Sequence, residues 1–507
     1  MTLIGREKEI KILKNCYNSD KSEFVAVYGR RRVGKTFLIK ELFETSFTFY
    51  STGLLNENRE TQLKVWNNEL VRVGGKDFPV ARNWVEAFEQ LRFLVERSFA
   101  AEVPHEKSVT HEKNVSHENN VSHEENASHE KNASHEKKVI FLDEIPWMAT
   151  MHSDFLTGLD YFWNRWASSR KDILLIICGS ASSWIINNVV NNKGGLHNRL
   201  TRQILLEPFT LRECELFFEN RSIPMTRYHM AEAYMIFGGI PYYLSLMEPQ
   251  YSLYQNVDEI YFSHSAELQN EFENLYRSLF KNAENYIRVV AALAKKGIGL
   301  TRTDIISDAG ITDGGSLTKI LEDLVLSGFI REYKPYGKKK RDSLFQLIDL
   351  FTLFDFRFRE KRSEHSEDFW LRYSATPAHS TWSGLSYEKL CLLHVPQIRK
   401  RLGISGVLTS VFSWRGEYDH KGAQVDLIID RNDNIINLCE IKFSSGLYQI
   451  DKKQYESLRN KKTAFANSTH THKAVQTTMI TTFGLKTNAY SAEIVSEILL
   501  DDLFEPV

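Results

Sequence analysis

Cysteine is scarce in this chain and nowhere paired. Cys16, Cys178, Cys214, Cys391 and Cys439 are spread over 507 residues, an odd number with no CxxC among them. That pattern argues against a disulfide framework and against a cysteine-built zinc site, and for small buried thiols in a reducing compartment. Long apolar runs are missing too. The longest spans about Ile173 to Cys178, whereas a membrane crossing needs ~20 such residues. The first residues, MTLIGREKEI, contain no apolar leader. The expectation is a cytoplasmic protein with no membrane partner. Net charge is almost nil as well: 64 Lys+Arg stand against 65 Asp+Glu, a formal -1. Bulk charge therefore selects no nucleic acid; only local patches could.

What is present is ordinary globular composition, 42% hydrophobic and 25% charged. It supports packed cores in about three or four domains, at roughly 100–200 residues each. One segment departs from it. Residues 105–136 repeat a hexapeptide, HEKSVT-HEKNVS-HENNVS-HEENAS-HEKNAS-HEKK, with His105, His111, His117, His123, His129 and His135 six apart. That spacing fits neither a helix nor a strand with one buried face. With few large apolar groups, the segment cannot offset its ordering entropy by burial. It reads as a solvated insertion, the alternative being a His-rich metal tract.

Around the insertion, strands and helices alternate. Phe24 to Tyr28, Val139 to Leu142 and Ile173 to Cys178 are short apolar runs. Helical stretches separate them, the pattern of a parallel sheet covered on both faces. The first run leads into GRRRVGKT, Gly29-Arg30-Arg31-Arg32-Val33-Gly34-Lys35-Thr36, which matches G-x-x-x-x-G-K-[ST] in full. A strand before and a helix after are what the chemistry requires. The glycines let backbone N–H groups turn toward phosphate oxygens, and the helix N-terminus adds its positive dipole end. Lys35 reaches the terminal phosphates and Thr36 offers a hydroxyl to Mg²⁺. The second run ends in Asp143-Glu144, one acid for the metal and one for the attacking water. The third ends at Ser180, which either touches that water or the γ-phosphate, or simply caps its strand. ATP and Mg²⁺ are the expected cofactors.

With IGREKEI, YGRRRVGKT, FLDEIPW, IICGS, HNRLTRQILLEPF and GGIPYYL in view, the chain resembles the archaeal-type ATPases of the AAA+/STAND assemblage, over nearly its whole length outside the repeat. The resemblance implies that Gly5, Arg6 and Glu7 lie by the adenine. It also implies that Gly239 and Pro241 approach the nucleotide from a lid, and that Arg199 is a sensor or finger arginine, with Arg202 as its competitor. The insertion just before the Asp143 strand departs from the family pattern.

Residues 284–350 read as three helices and a hairpin with a basic tip, Lys338-Lys339-Lys340-Arg341. This is the layout of a winged helix-turn-helix. The tip suits DNA phosphates. The third helix, Gly315 to Ser327, reads as exposing Glu322 and Asp323 beside Lys319, which is poor for base reading. DNA contact and a purely internal role both stay open. Further on, Glu388 sits in a helical stretch, Asp426 in AQVDLIID and Glu440 with Lys442 in NLCEIKFS. Residues two apart on a strand share a face, so Glu440 and Lys442 point together, with Asp426 able to join them from a neighbouring strand. Asp426 and Glu440 could hold a metal while Lys442 faces the developing charge. With Gln454 and Tyr455 downstream, the segment resembles the PD-(D/E)XK nuclease superfamily, which implies catalysis by these four residues or a docking role without it.

The expected architecture is a multi-domain α/β chain. A P-loop parallel sheet occupies 1–212, a helical lid 213–283, a winged helix 284–350 and a restriction-endonuclease-like α/β domain 351–507. The expected function is an ATPase whose nucleotide state controls the winged helix and the nuclease-like module. DNA is the candidate partner and a nucleotide-dependent homo-oligomer the candidate assembly. The rival is a STAND-type switch with an inactive docking domain.

Overall fold

A computed structural model describes residues 3–102, 136–150, 153–191, 195–196, 198–339, 342–362, 368–418 and 421–507. The repeat lies outside the described residues apart from Glu136, as do Lys340 and Arg341 of the basic tip.

The N-terminal segment runs α1 (Glu7–Tyr17), β1 (Glu23–Tyr28), α2 (Lys35–Phe43), β2 (Phe47–Thr52), α3 (Arg59–Arg72), α4 (Trp84–Glu102), β3 (Lys138–Asp143), α5 (Phe155–Arg165), β4 (Ile173–Gly179) and β5 (Arg202–Leu205). The five strands pair in the order β2-β3-β4-β1-β5, every pair parallel. Alternation along each strand divides the core in two. Val25, Val27, Phe141, Ile176 and Cys178 pack on one face. Phe24, Ala26, Ile140, Leu175 and Ile177 pack on the other, beneath Trp66, Trp84 and Phe88. A sheet buried on both faces explains why these strands are apolar at consecutive positions rather than alternating.

Helices α6 (Leu211–Asn220), α7 (Arg227–Phe237) and α8 (Glu271–Leu279) lie in the segment read as a lid. Next come α9 (Ala283–Ala294), α10 (Arg302–Ala309), α11 (Gly315–Leu326) and the antiparallel pair β6 (Ile330–Tyr333) and β7 (Leu344–Leu347). This is the three-helix and hairpin order expected from the sequence. One expectation is corrected here. Asp323 does not face solvent: it is buried and accepts the Tyr286 hydroxyl at 2.6 Å, so of the two acids only Glu322 is exposed.

The C-terminal segment contributes α12 (Leu350–Arg362), α13 (Pro377–Leu393), β8 (Thr409–Tyr418), β9 (Lys421–Arg431), β10 (Ile435–Lys442), α14 (Lys452–Thr469), β11 (Ala474–Thr481) and β12 (Ser496–Leu499). Its sheet runs β12-β11-β10-β9-β8. The β8–β9 and β9–β10 pairs are antiparallel and the rest parallel. A boundary at 351 does not free this segment from the lid. Phe351 lies 4.7 Å from Tyr243 by ring centroid, and Asp355 accepts the Tyr261 hydroxyl at 2.7 Å. One cluster of buried side chains runs from Leu13 to Phe504. All five cysteines are free and buried, as their apolar settings suggested. Among the described residues, no helix is long and apolar enough to cross a membrane.

Candidate functional site

β1 delivers the chain into the glycine loop and α2 takes it away. Arg32 and Gly34 adopt φ of 70° and 93°. The second of these left-handed turns falls to the residue that tolerates it without a steric penalty. Lys35 is buried at 5% exposure. Its Nζ donates to Gly29 O at 3.0 Å and Arg30 O at 2.9 Å, with Ser180 Oγ 3.5 Å away. Thr36 Oγ1 donates to Asp143 Oδ2 at 2.7 Å. A hydroxyl and a carboxylate side by side at the mouth of a phosphate loop form a donor set that suits Mg²⁺. Burial pushes the Asp143 carboxyl up from its ordinary range, against the Thr36 hydrogen bond and the Lys35 charge.

Glu144, immediately after β3, has φ 48° and ψ 48°, a conformation that costs energy in a non-glycine residue. Its surroundings hold it there. Gly53 N donates to Asp143 O at 2.9 Å. A Cβ on Gly53 would come within 2.6 Å of Glu144 O, so the residue just after β2 must be bare. Glu144 Oε2 accepts the Ser180 amide at 3.0 Å, and Oε1 accepts the Ser180 hydroxyl. The three strand ends named from the sequence thus meet within one hydrogen-bonded set.

The set opens into a cleft of about 400 Å³, whose walls include Leu3, Ile4, Arg6, Phe209, Phe217, Pro241 and Tyr242 along with Lys35, Thr36 and Glu144. Apolar walls at one end and a cation with hydroxyls at the other match a molecule with a flat base and a polyanionic tail. Arg6 is buried beneath the base end. Its amide and guanidinium face Glu213 at 3.2 and 3.9 Å, its Nη2 donates to Val33 O at 3.3 Å, and its guanidinium lies 4.7 Å over the Phe209 ring. Burial lowers the Arg6 pKa, with the Glu213 charge opposing. Gly5 packs against Glu213, Glu7 is exposed at the start of α1, and Gly239 stays outside the lining.

Glu213 was missed from sequence. It is the N3 residue of the capping box that opens α6 with Thr210, and T-x-x-E at 210–213 was the signal that could have marked it.

Of the three loop arginines, Arg31 and Arg32 line the cleft and only Arg30 is corrected. Arg30, grouped with the nucleotide ligands, turns its side chain away from the cleft and pairs with Asp349, both buried. Only its carbonyl reaches Lys35. Arg32 binds Glu271 at 2.6 Å and lies 4.0 Å over Tyr242; burial acts to lower its pKa but Glu271 outweighs that and raises it. Arg31 lines the cleft and reaches Asn274 O at 3.4 Å. The physical reason for Arg30 is that a buried guanidinium needs an acceptor, and Asp349, just before α12, supplies it. Arg199 and Arg202 are exposed and outside the cleft of their own chain.

In the C-terminal sheet the four candidate residues come together in part. Lys442 and Lys461 take the two Glu440 oxygens at 2.9 and 2.6 Å, and Gln454 adds a bond at 3.2 Å. Burial raises the Glu440 pKa, but the two lysines outweigh it and hold it below the usual range. Lys461 on α14 was not found from sequence, and Tyr455 turns to Glu493 instead. Cys439 pairs with Leu427, so one step further along the strands sets Glu440 opposite Asp426. Asp426 accepts from Gln424 at 2.7 Å. Glu388, on α13, is pushed up by burial and then by the Asp426 charge. Among the described residues, no three His, Cys, Asp or Glu side chains form a group that could hold a metal ion.

Known proteins resemble the chain at two depths. The uncharacterized protein MJECL04 of Methanocaldococcus jannaschii is 22% identical over 471 residues, covering 90% of this chain and 91% of that one. An uncharacterized ATP-binding protein of the same organism, MJ0423, is 44% identical over 41 residues, 8% of this chain and 70% of that one. Among solved structures, the Walker-type ATPase PABY2304 of Pyrococcus abyssi aligns at TM-score 0.48 and 14% identity, over 70% of this chain and 96% of that one. The Aeropyrum pernix ORC2 protein aligns at 0.38 and 14%, over 71% and 96%. The sheet, the glycine loop and the start of the lid, residues 3–247, match the family model of an ATPase domain predominantly from Archaea, and the first half of this chain is an archaeal-type ATPase domain.

Proposed function

We propose that the chain binds and hydrolyses ATP in the cleft beside Lys35, and that its nucleotide state governs a C-terminal module acting on DNA. The Thr36–Asp143 hydrogen bond at the mouth of the glycine loop carries this reading. Lys35, the backbone amides of the loop through Gly34, and Thr36 bind the phosphates; Leu3, Ile4, Arg6 and Phe209 enclose the base; Pro241 closes the lid side. Glu144 orients and deprotonates the attacking water, held by Ser180. Mg²⁺, held by Thr36 and Asp143, supplies positive charge against the phosphates when bound. Arg199, outside its own cleft, serves the γ-phosphate of a neighbouring copy in a nucleotide-dependent oligomer. Replacing Lys35 by Ala tests the site: nucleotide binding should be lost, and ordinary hydrolysis by that variant would refute it.

For the C-terminal module, the reading is a metal-dependent nuclease-like site of Glu388, Asp426, Glu440 and Lys442, served by DNA that the three-helix and hairpin unit holds as a winged helix. Its support is the helix, three antiparallel-linked strands, helix and strand order around those residues. A specific observation favours the rival. Both Glu440 oxygens are already held by lysines, which suits a switch whose C-terminal domain only docks a partner.

A further inference from the structure

The β6–β7 hairpin packs on the helices of its own unit and, just past β6, also reaches the C-terminal sheet. Tyr336, just past β6, donates its amide to Ser413 O at 2.9 Å. The register between β8 and β9 shifts there: Phe412 pairs with Ile428 and Trp414 with Val425, so Asp426 and Leu427 together oppose Ser413. A bulge of this kind frees a backbone group from its ladder and re-aims the side chains beside it. The extra residue is on β9; the Ser413 carbonyl opposite it belongs to β8, the edge strand of the sheet, and the hairpin takes it. The Tyr336 ring then packs 5.3 Å from Phe412 and 5.0 Å from Phe465.

The base of the hairpin makes a second contact beside the same site. Arg331 Nε donates to Gln346 Oε1 at 2.7 Å, and Gln346 Nε2 donates to Gly297 O. Lys389, the neighbour of Glu388 on α13, donates to that same carbonyl at 2.6 Å. The hairpin thus bonds β8 opposite Asp426 through Tyr336 and shares the Gly297 carbonyl with the neighbour of Glu388.

The far end of the hairpin leads to the phosphate loop. Asp349, two residues beyond β7, opens α12 by accepting the Thr352 amide at 2.7 Å and is paired with Arg30. Arg30 is the loop residue whose carbonyl Lys35 holds. Phosphates would claim the same ammonium group, so their binding draws on the stretch of loop that Arg30 anchors. Separating a buried ion pair is costly, so Asp349 moves with Arg30 rather than releasing it.

We propose that the hairpin is a cover over the C-terminal acidic site, and that the phosphate loop sets its position through Arg30 and Asp349. This rests on the proposed function and names the regulation of the same site.

Hydrogen exchange on the full chain tests it, with and without a non-hydrolysable ATP analogue and Mg²⁺, reading residues 330–347 and 409–418. In the wild type, the bound analogue should speed exchange at both segments at least tenfold. Asp349→Asn should bind the analogue and show no such response. Tyr336→Ser, distant from the cleft, should exchange fast in both conditions, and it decides the matter if Asp349→Asn does not fold. Bound analogue with unchanged exchange in the wild type, or a full response surviving in folded Asp349→Asn, would overturn the cover and leave the ATP site standing. No analogue bound at all would overturn both.

Discussion

Glu144 accepts the backbone amide of Ser180 at 3.0 Å, so the acid that ends β3 is positioned by the end of β4. Ser180 also lies within reach of Lys35. One hydroxyl thus stands between the group expected to activate water and the group expected to hold the phosphates.

Two substitutions separate these roles. Glu144→Gln should keep nucleotide affinity and lower turnover about 10²–10⁴-fold, the usual range for a lost general base. Ser180→Ala keeps the amide bond to Glu144 and loses only the hydroxyl contacts. Its turnover should fall roughly tenfold, the equivalent of about one hydrogen bond. Phosphate release alongside equilibrium nucleotide binding measures both, and equal effects from the two variants would deny Ser180 a merely supporting position.

Arg199 is exposed and outside its own cleft. Arg199→Ala should therefore leave nucleotide affinity intact. It should slow hydrolysis only at protein concentrations where the wild type's specific activity rises with concentration. A loss that is the same at every concentration would place the arginine in its own chain's chemistry instead.

Asp426 lies in the bulge opposite Ser413 and beside Glu440. Cleavage of plasmid and linear DNA with Mg²⁺ or Mn²⁺, with and without ATP, should be lost in Asp426→Ala. No cutting by the wild type under any of these conditions, with ATP turnover intact, would favour the docking domain.

Glu232 of α7 faces His379 of α13 at 3.5 Å and accepts the Tyr254 hydroxyl at 3.1 Å. Burial pushes the Glu232 carboxyl up to about 7 and the His379 imidazole down to about 4. A carboxyl raised on folding gives stability that is complete below its unfolded pKa and lost as pH rises through the folded one. His379 works the other way, losing its contribution as pH falls from its ordinary value toward about 4. The difference between wild type and Glu232→Gln isolates the first effect. The variant should gain on the wild type between about pH 4.5 and 7, by roughly 3 kcal/mol at most, in denaturant titrations run across that range. A constant difference would mean that Glu232 does not change charge there.

Much of the nucleotide site was legible because its parts are contiguous. The strand, the glycines, Lys35 and Thr36 sit in one stretch, and each acid or hydroxyl closes an apolar run that only a doubly covered sheet would bury. The partners were not legible. Glu213 under Arg6, Asp349 on Arg30, Glu271 on Arg32 and Lys461 on Glu440 are set by packing between distant segments, and nothing local to either member marks the pair. Asp323 shows the same limit on a helix. Periodicity set it on the exposed face beside Glu322, and a tyrosine from another helix holds it inside.

The strand order has a consequence during synthesis. β1 emerges early, yet Val25 waits for Ile176 on one side and the Arg202 segment on the other. Until both are made, an apolar strand stands with two open edges, a form prone to pair with other chains. The strand that leads into the glycine loop is thus among the first made and is not enclosed until β5 follows. A chain cut short anywhere between β1 and β4 leaves Val25 and its strand unmated on both edges.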